Sequence, residues 1–204
     1  MELRSPEPSL FDALPPSVES LDDINAEMLR RAQLLPQFAE QVFVLGEGGP
    51  GVRVACVGES PGPPDIASGR PFMGPAGALL ERILLSIGLR RGDCYLTNVV
   101  KYVCTGEEIT PEVIAFFATY LHRELAALNA PIIISLGNTP TKALLKTKDS
   151  ISNLRGVWHD YYGLKIMPTF NPAYLLRDPT KKREVWADMK QVRAALGQQA
   201  SHTQ

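Results

Sequence analysis

From residue 52 onward, short apolar runs alternate with longer stretches whose apolar residues recur at helical spacing. The runs 52–57, 94–99, 131–136 and 164–168 read as buried strands, and 75–88, 111–128, 138–146 and 182–195 read as amphipathic helices between and after them. Pro111 suits the first turn of its helix, with Thr110 as the cap. Strands and helices in alternation predict an α/β fold, a three-layer α/β/α sandwich around a central, mostly parallel sheet.

Upstream, a helix is predicted from about Leu21 to Leu35, opened by Asp22 and Asp23, carrying Ile24, Met28 and Leu35 on its apolar face and stopped by Pro36. Residues 1–20 hold Pro6, Pro8, Pro15 and Pro16 around the short patch Leu10 to Leu14, and read as a disordered N-terminal arm. Residues 21–197 are expected to form a single domain, and 198–204 a flexible tail.

A chain of 204 residues is long enough to bury a core. Its 45% hydrophobic and 21% charged residues are ordinary for a soluble globular protein. No apolar stretch approaches the roughly twenty residues that span a bilayer, and the acidic, proline-bearing start lacks a basic segment followed by an apolar one. A cytoplasmic protein with no membrane partner is therefore expected. A net charge of −1 argues against bulk attraction to nucleic acid, so any such binding needs a local positive face. Arg70, Lys101, Arg155, Arg177, Lys181, Lys182 and Arg183 are the candidates for it.

Candidate chemistry concentrates in two segments about a hundred residues apart. Gly58-Glu59-Ser60-Pro61-Gly62 runs on to Gly69-Arg70-Pro71-Phe72-Met73-Gly74, and Asn171-Pro172-Ala173-Tyr174-Leu175-Leu176-Arg177 follows later. Each comes after a predicted strand, and in open α/β sheets ligands collect where strand ends meet their loops. A nucleotide phosphate loop at Gly58 to Gly62 is a poor alternative, because neither a GK[ST] ending nor a spaced GxGxxG is present.

The runs GESPG, GRPFMGPAGALL, YLTNVVK, ISNLRG and PTFNPAYLLRDP, in that order over roughly residues 45 to 190, resemble the uracil-DNA glycosylase superfamily, closest to its family 4. The resemblance implies an enzyme that takes deoxyuridine out of the DNA stack and hydrolyses its glycosidic bond, with uracil-containing DNA as partner. It implies Phe72 as the aromatic floor for uracil, and Asn98 as the amide that accepts from N3–H and donates to O4, with Gly58 and Ser60 beside them. Cytosine presents the opposite pattern at that edge, so a buried amide would reject it. Glu59 and Asp65 are the candidate catalytic carboxylates, for a transition state with positive charge on the sugar and negative charge on the base. Family 4 relatives carry glutamate at the position matching Asp65.

Asn171 stands where family 4 has a histidine that donates to uracil O2. Asparagine still donates but cannot carry positive charge. Leu175 takes the place of the wedge that enters the stack, with Tyr174 and Leu176 supporting it and Arg177 suited to a phosphate. Arg155 and the turn Gly137-Asn138-Thr139 are further candidates for the DNA backbone.

The resemblance also implies four iron–sulfur cysteines, and here the chain departs from it. Only Cys56, Cys94 and Cys104 are present, none in a CxxC pair, whereas an ordinary 4Fe–4S site takes four thiolates. The positions matching the family's ligands fall in Leu29 to Leu35, at Tyr102, and at Phe116 or Phe117. The expected enzyme is therefore a monomer that requires no metal or organic cofactor, with the N-terminal arm as a docking peptide for a repair or replication partner. Two other readings share the fold: a catalytically weak uracil-DNA binding protein, and a glycosylase for another deaminated base such as hypoxanthine.

Overall fold

A computed structural model of the chain describes residues 19–104 and 108–200, with the side chains of 199 and 200 left aside. In chain order the elements are α1 (Leu21–Gln33), β1 (Val54–Gly58), α2 (Pro63–Ser68), α3 (Pro75–Ser86), β2 (Cys94–Asn98), α4 (Pro111–Leu128), β3 (Ile132–Leu136), α5 (Asn138–Leu145), α6 (Ile151–Leu154), β4 (His159–Tyr161), β5 (Leu164–Thr169), α7 (Pro172–Arg177) and α8 (Lys182–Ala200). The sheet runs β2-β1-β3-β5-β4, with parallel pairing throughout except for β4, which lies antiparallel to β5 at the edge.

Every residue of β1, β2 and β3 is buried, as expected for strands covered on both faces. Their side chains alternate between two cores. Ala55, Val57, Tyr95 and Ile133 pack with α1 and α4 on one side. Val54, Cys56, Leu96, Ile132 and Ile134 pack with α3, α7 and α8 on the other. This is the α/β/α sandwich that the hydrophobic pattern predicts.

Local signals fix several boundaries. Thr110 caps α4 by accepting from the Val113 N–H, with Pro111 in the first turn. Ser20 caps α1, Asp22 and Asp23 lie in its first turn, and Ile24, Met28 and Ala32 face the core at spacings of four. Glu19 and Ser20 are thus part of the folded structure rather than of the expected arm, and Glu19 pairs with Arg123 at 2.6 Å. Helix α8 continues past 195 to Ala200, overrunning the start of the expected tail. The remainder of the expected arm and tail, residues 1–18 and 201–204, lies outside the described residues.

Among the described α-helices and strands, four short ones escaped the periodicity: α2, α6, α7 and β4. Each has six residues or fewer, less than two helical turns or one strand repeat pair, which leaves too little pattern to detect. The order of the sheet creates the functional geometry. The chain leaves β1 toward β2 on one side and later returns to β3 on the other, so the carboxyl ends of β1 and β3 flank the switch point where a crevice opens.

Candidate active site

Gly58 and Asn98 are the last residues of β1 and β2 and pair in register. A Cβ added to Gly58 would stand 2.3 Å from Asn98 Oδ1 and 2.7 Å from Phe72 Cζ, so the missing side chain lets a ring and a carboxamide close over one backbone position. Phe72 itself holds φ +57°, a left-handed conformation rare for a side chain of its size. Its backbone is closely packed: a Cβ on Gly77 would fall 1.8 Å from Phe72 O.

Asp65 sits at the third position of α2, where the Gly62 N–H donates to Oδ2 at 3.0 Å. The Met73 N–H donates to Oδ1 at 2.6 Å. Both oxygens of this buried carboxylate therefore fasten the loop that carries Phe72. Pro63 and Pro64 open α2, where proline's fixed φ suits the first helical turn. Ser60 lies beside Cys104, whose thiol is pushed up by burial.

Next to this cluster, between the ends of β1, β3 and β5, is a cavity of about 480 Å³ whose walls include Glu59, Gly137, Phe170, Asn171, Tyr174 and Arg177. Its volume is in the range of small-molecule sites. Thr139, in the first turn of α5, donates its hydroxyl to Glu59 Oε2 and fixes that carboxylate at the switch point. Asn171 caps α7: Oδ1 accepts from the Ala173 N–H at 2.8 Å, and Nδ2 donates to Leu136 O at 3.3 Å. An amide nitrogen carries two N–H groups, so among the described residues one donor remains. Gly137 lets Asn171 approach, since a Cβ there would lie 3.1 Å from Asn171 Cβ and its φ is +103°.

Several expected site residues sit elsewhere. Leu175 is fully buried against α3 and α8 rather than projecting as a wedge, because α7 turns it inward; Leu176 is the exposed leucine. Arg155 is a strut, not a free cation: its guanidinium pairs with Asp188 at 2.5 Å and Glu184 at 3.2 Å and stacks on Phe170 at 5.3 Å. Lys101 is fully buried, bonded to Glu124 Oε2 at 2.8 Å and Thr97 Oγ1 at 2.6 Å, and cannot belong to a surface patch. Arg70 and Lys181 are paired with Glu47 and Glu184.

Arg177 lines the cavity and forms no ion pair among the described residues. Tyr174 also lines it, its ring packed at a tilt against Phe170, and donates to Asp178 Oδ2 at 3.3 Å. His159 lies in β4, where its ring contacts Leu154 O, and His122 bonds Tyr161, so no histidine among the described residues lines the cavity.

Sequence reasoning missed Thr139 as the partner of Glu59, and Arg91 and Gly77 as supports of Phe72. Only the first carried a signal, the Gly137-Asn138-Thr139 turn into a helix.

Comparison with known proteins gives the family. The model of the uracil DNA glycosylase superfamily matches residues 45–190. The chain is 34% identical to a Type-4 uracil-DNA glycosylase of Thermotoga maritima over 184 residues, covering 87% of this chain and 96% of that protein. It is 32% identical to the Type-4 uracil-DNA glycosylase of Archaeoglobus fulgidus over 191 residues, covering 88% and 95%. The corresponding protein of Saccharolobus solfataricus is 34% identical over 188 residues, covering 85% and 86%. With its strand-end cluster, its switch-point cavity and these relatives, the chain belongs to the uracil DNA glycosylase superfamily.

Proposed function

We propose that this protein hydrolyses the N-glycosidic bond of deoxyuridine in DNA, releasing uracil and leaving an abasic site for base excision repair. The observation that carries the reading is the closure of Phe72 and Asn98 over Gly58, which offers a planar base a face to stack on and an amide to pair with. Reaching that site requires the nucleotide to leave the helix. Asn98 Oδ1 then accepts from uracil N3–H while its NH₂ donates to O4, a pairing cytosine cannot match.

As the bond breaks, Glu59 stabilises the positive sugar and orients the water, held for that task by Thr139. The remaining N–H of Asn171 donates to uracil O2 as negative charge accumulates there. Of the two expected acids, Glu59 faces the cavity, whereas Asp65 contributes by holding the Phe72 loop. Arg177 meets the backbone, and exposed Leu176 takes the wedge position in place of Leu175.

The reading is of a monomer without an iron–sulfur cluster. The positions matching the family's ligands do not fit one: Tyr102, Phe116 and Phe117 pack with Phe38 at centroid distances of 5.5, 5.1 and 5.3 Å. Among the described residues no group of three His, Cys, Asp or Glu is placed to hold a metal ion. On this reading aromatic packing takes the place of the cluster.

The test is release of uracil from single-stranded and duplex oligonucleotides carrying one deoxyuridine. Turnover by the wild type that falls at least a hundredfold in Asn98→Ala is expected, about the loss for an unpaired buried polar edge. No release and no uracil-selective binding would overturn the reading. The role of Asn171 as a neutral helix cap favours one second reading, a uracil-DNA binding protein that barely cleaves. Selective binding without release, with cleavage gained in Asn171→His, would establish that reading instead.

A further inference from the structure

Arg91 is a largely buried cation outside the cavity. It lies in a 3-10 turn, Arg91–Asp93, just before β2. Its Nη2 donates to Pro71 O at 2.6 Å and to Glu47 Oε2 at 2.6 Å. Nε donates to Glu47 Oε1 at 3.0 Å, and Nη1 donates to Glu81 Oε1 at 3.1 Å with a longer contact to Phe72 O at 3.5 Å. A guanidinium has five N–H donors, and this arrangement engages all of them. Glu47 is anchored in turn, because its N–H and C=O both bond Leu96 of β2, at 2.9 and 2.8 Å.

A continuous connection therefore runs from β2 through Glu47 and Arg91 to the peptide groups on either side of the Phe72 Cα. On the far side of the ring's residue, Asp65 holds the Met73 N–H. A left-handed backbone at a bulky residue persists only where the surroundings over-determine it, and these contacts supply that constraint. The ring they aim is the one that closes on Asn98 over Gly58.

We propose that Arg91 is a positioning residue for base recognition: with Glu47 it fixes Phe72 in its left-handed conformation and so sets the affinity and selectivity of the stacking floor, without touching substrate. The inference rests on the reading of Phe72 as the floor for uracil. Lysine cannot replace Arg91, since a single ammonium on a flexible stem has no fork to bridge Pro71 O and both Glu47 oxygens.

The test measures kcat and KM on a deoxyuridine oligonucleotide, and inhibition by free uracil, for wild type, Arg91→Lys, Glu47→Gln, Phe72→Ala and the double variant Arg91→Lys/Phe72→Ala. Arg91→Lys should raise KM and the inhibition constant for uracil by about tenfold to a hundredfold, the scale of one or two hydrogen bonds to a charged group. The change in kcat should be smaller. Glu47→Gln should move both constants in the same direction by less. In the Phe72→Ala background the arginine substitution should add about twofold or less, because a residue acting through the ring has nothing left to act through.

Unchanged uracil inhibition in Arg91→Lys, or full additivity in the double variant, would overturn the proposal. A second readout separates it from the assignment of function. Exchange of the Met73 amide, followed by NMR, should quicken at least tenfold in Arg91→Lys while amides of β3 keep their protection. Should the wild type neither release nor bind uracil, the proposed function fails, and this exchange alone decides the clamp: equal Met73 protection in both proteins overturns it.

Discussion

The Gly58 Cα faces the side chain of its register partner Asn98 so closely that a methyl group would stand 2.3 Å from Oδ1. The same methyl would stand 2.7 Å from Phe72 Cζ. Gly58→Ala must therefore push the amide and the ring apart. We expect it to cost about 1–3 kcal/mol in stability, the usual range for overpacking, and to reduce uracil release far more than heat resistance. Denaturant titration beside kcat/KM checks this; unaltered kinetics would mean that the closure of Phe72 and Asn98 does not form the base site.

Leu175 and Leu176 should separate core from contact. Leu175 is fully buried, so Leu175→Ala should lose about 2–5 kcal/mol. Leu176 is 44% exposed, and Leu176→Ala should stay within about 0.5 kcal/mol of wild type. If Leu176 enters the stack, its loss should lower kcat/KM on duplex more than on single-stranded DNA. Equal losses on both substrates would remove the wedge assignment.

Lys101 and Glu124 form a fully buried ion pair, in which Glu124 Oε1 has no hydrogen-bond partner among the described residues. Lys101→Met leaves a lone buried carboxylate and should destabilise by about 3–5 kcal/mol, whereas Lys101→Met with Glu124→Leu should recover most of that loss. Urea midpoints of the two variants compare them directly. A double variant no better than the single would show that the pair is needed for more than its mutual neutralisation.

Acid should release the Phe72 clamp late. The Arg91 guanidinium, joined by Arg70, holds the Glu47 carboxyl well below its ordinary 4.5, at about 2. A carboxyl lowered on folding contributes stability that is complete above the unfolded value and lost as pH falls toward the folded one. The contribution from Glu47 should thus be intact above about pH 4.5 and disappear on the way to pH 2. Glu47→Gln should flatten that part of the stability profile; an unchanged slope would mean that Glu47 carries no linked proton.

Much of the scaffold was legible in the chain. The apolar runs at Val54–Gly58, Cys94–Asn98 and Ile132–Leu136 marked the strands within two residues. Thr110 and Pro111 marked the start of α4. The glycine, asparagine and aromatic residues of the two motifs lie at the strand ends and beside the cavity, where loops after predicted strands were expected. These features depend on neighbours a few positions apart, which any segment carries with it wherever it folds.

Side-chain roles at the site were legible only in part, because their partners arrive from distant segments. Arg155 resembles a phosphate ligand until α8 brings Asp188 against it, and Lys101 resembles a surface cation until Glu124 meets it from α4. The burial of Leu175, expected as the wedge, and the exposure of Leu176 followed from the way α7 packs on α3 and α8. Asp65 turned out to be tied at both oxygens, and Arg91 to aim Phe72. The sequence by itself determined the alternating elements and the chemical inventory of the motifs, since both are written in local periodicity and residue type. Only the tertiary structure decided which charges are neutralised and which side chains face the cavity, because pairing and burial are set by residues that the sheet order brings together from far along the chain.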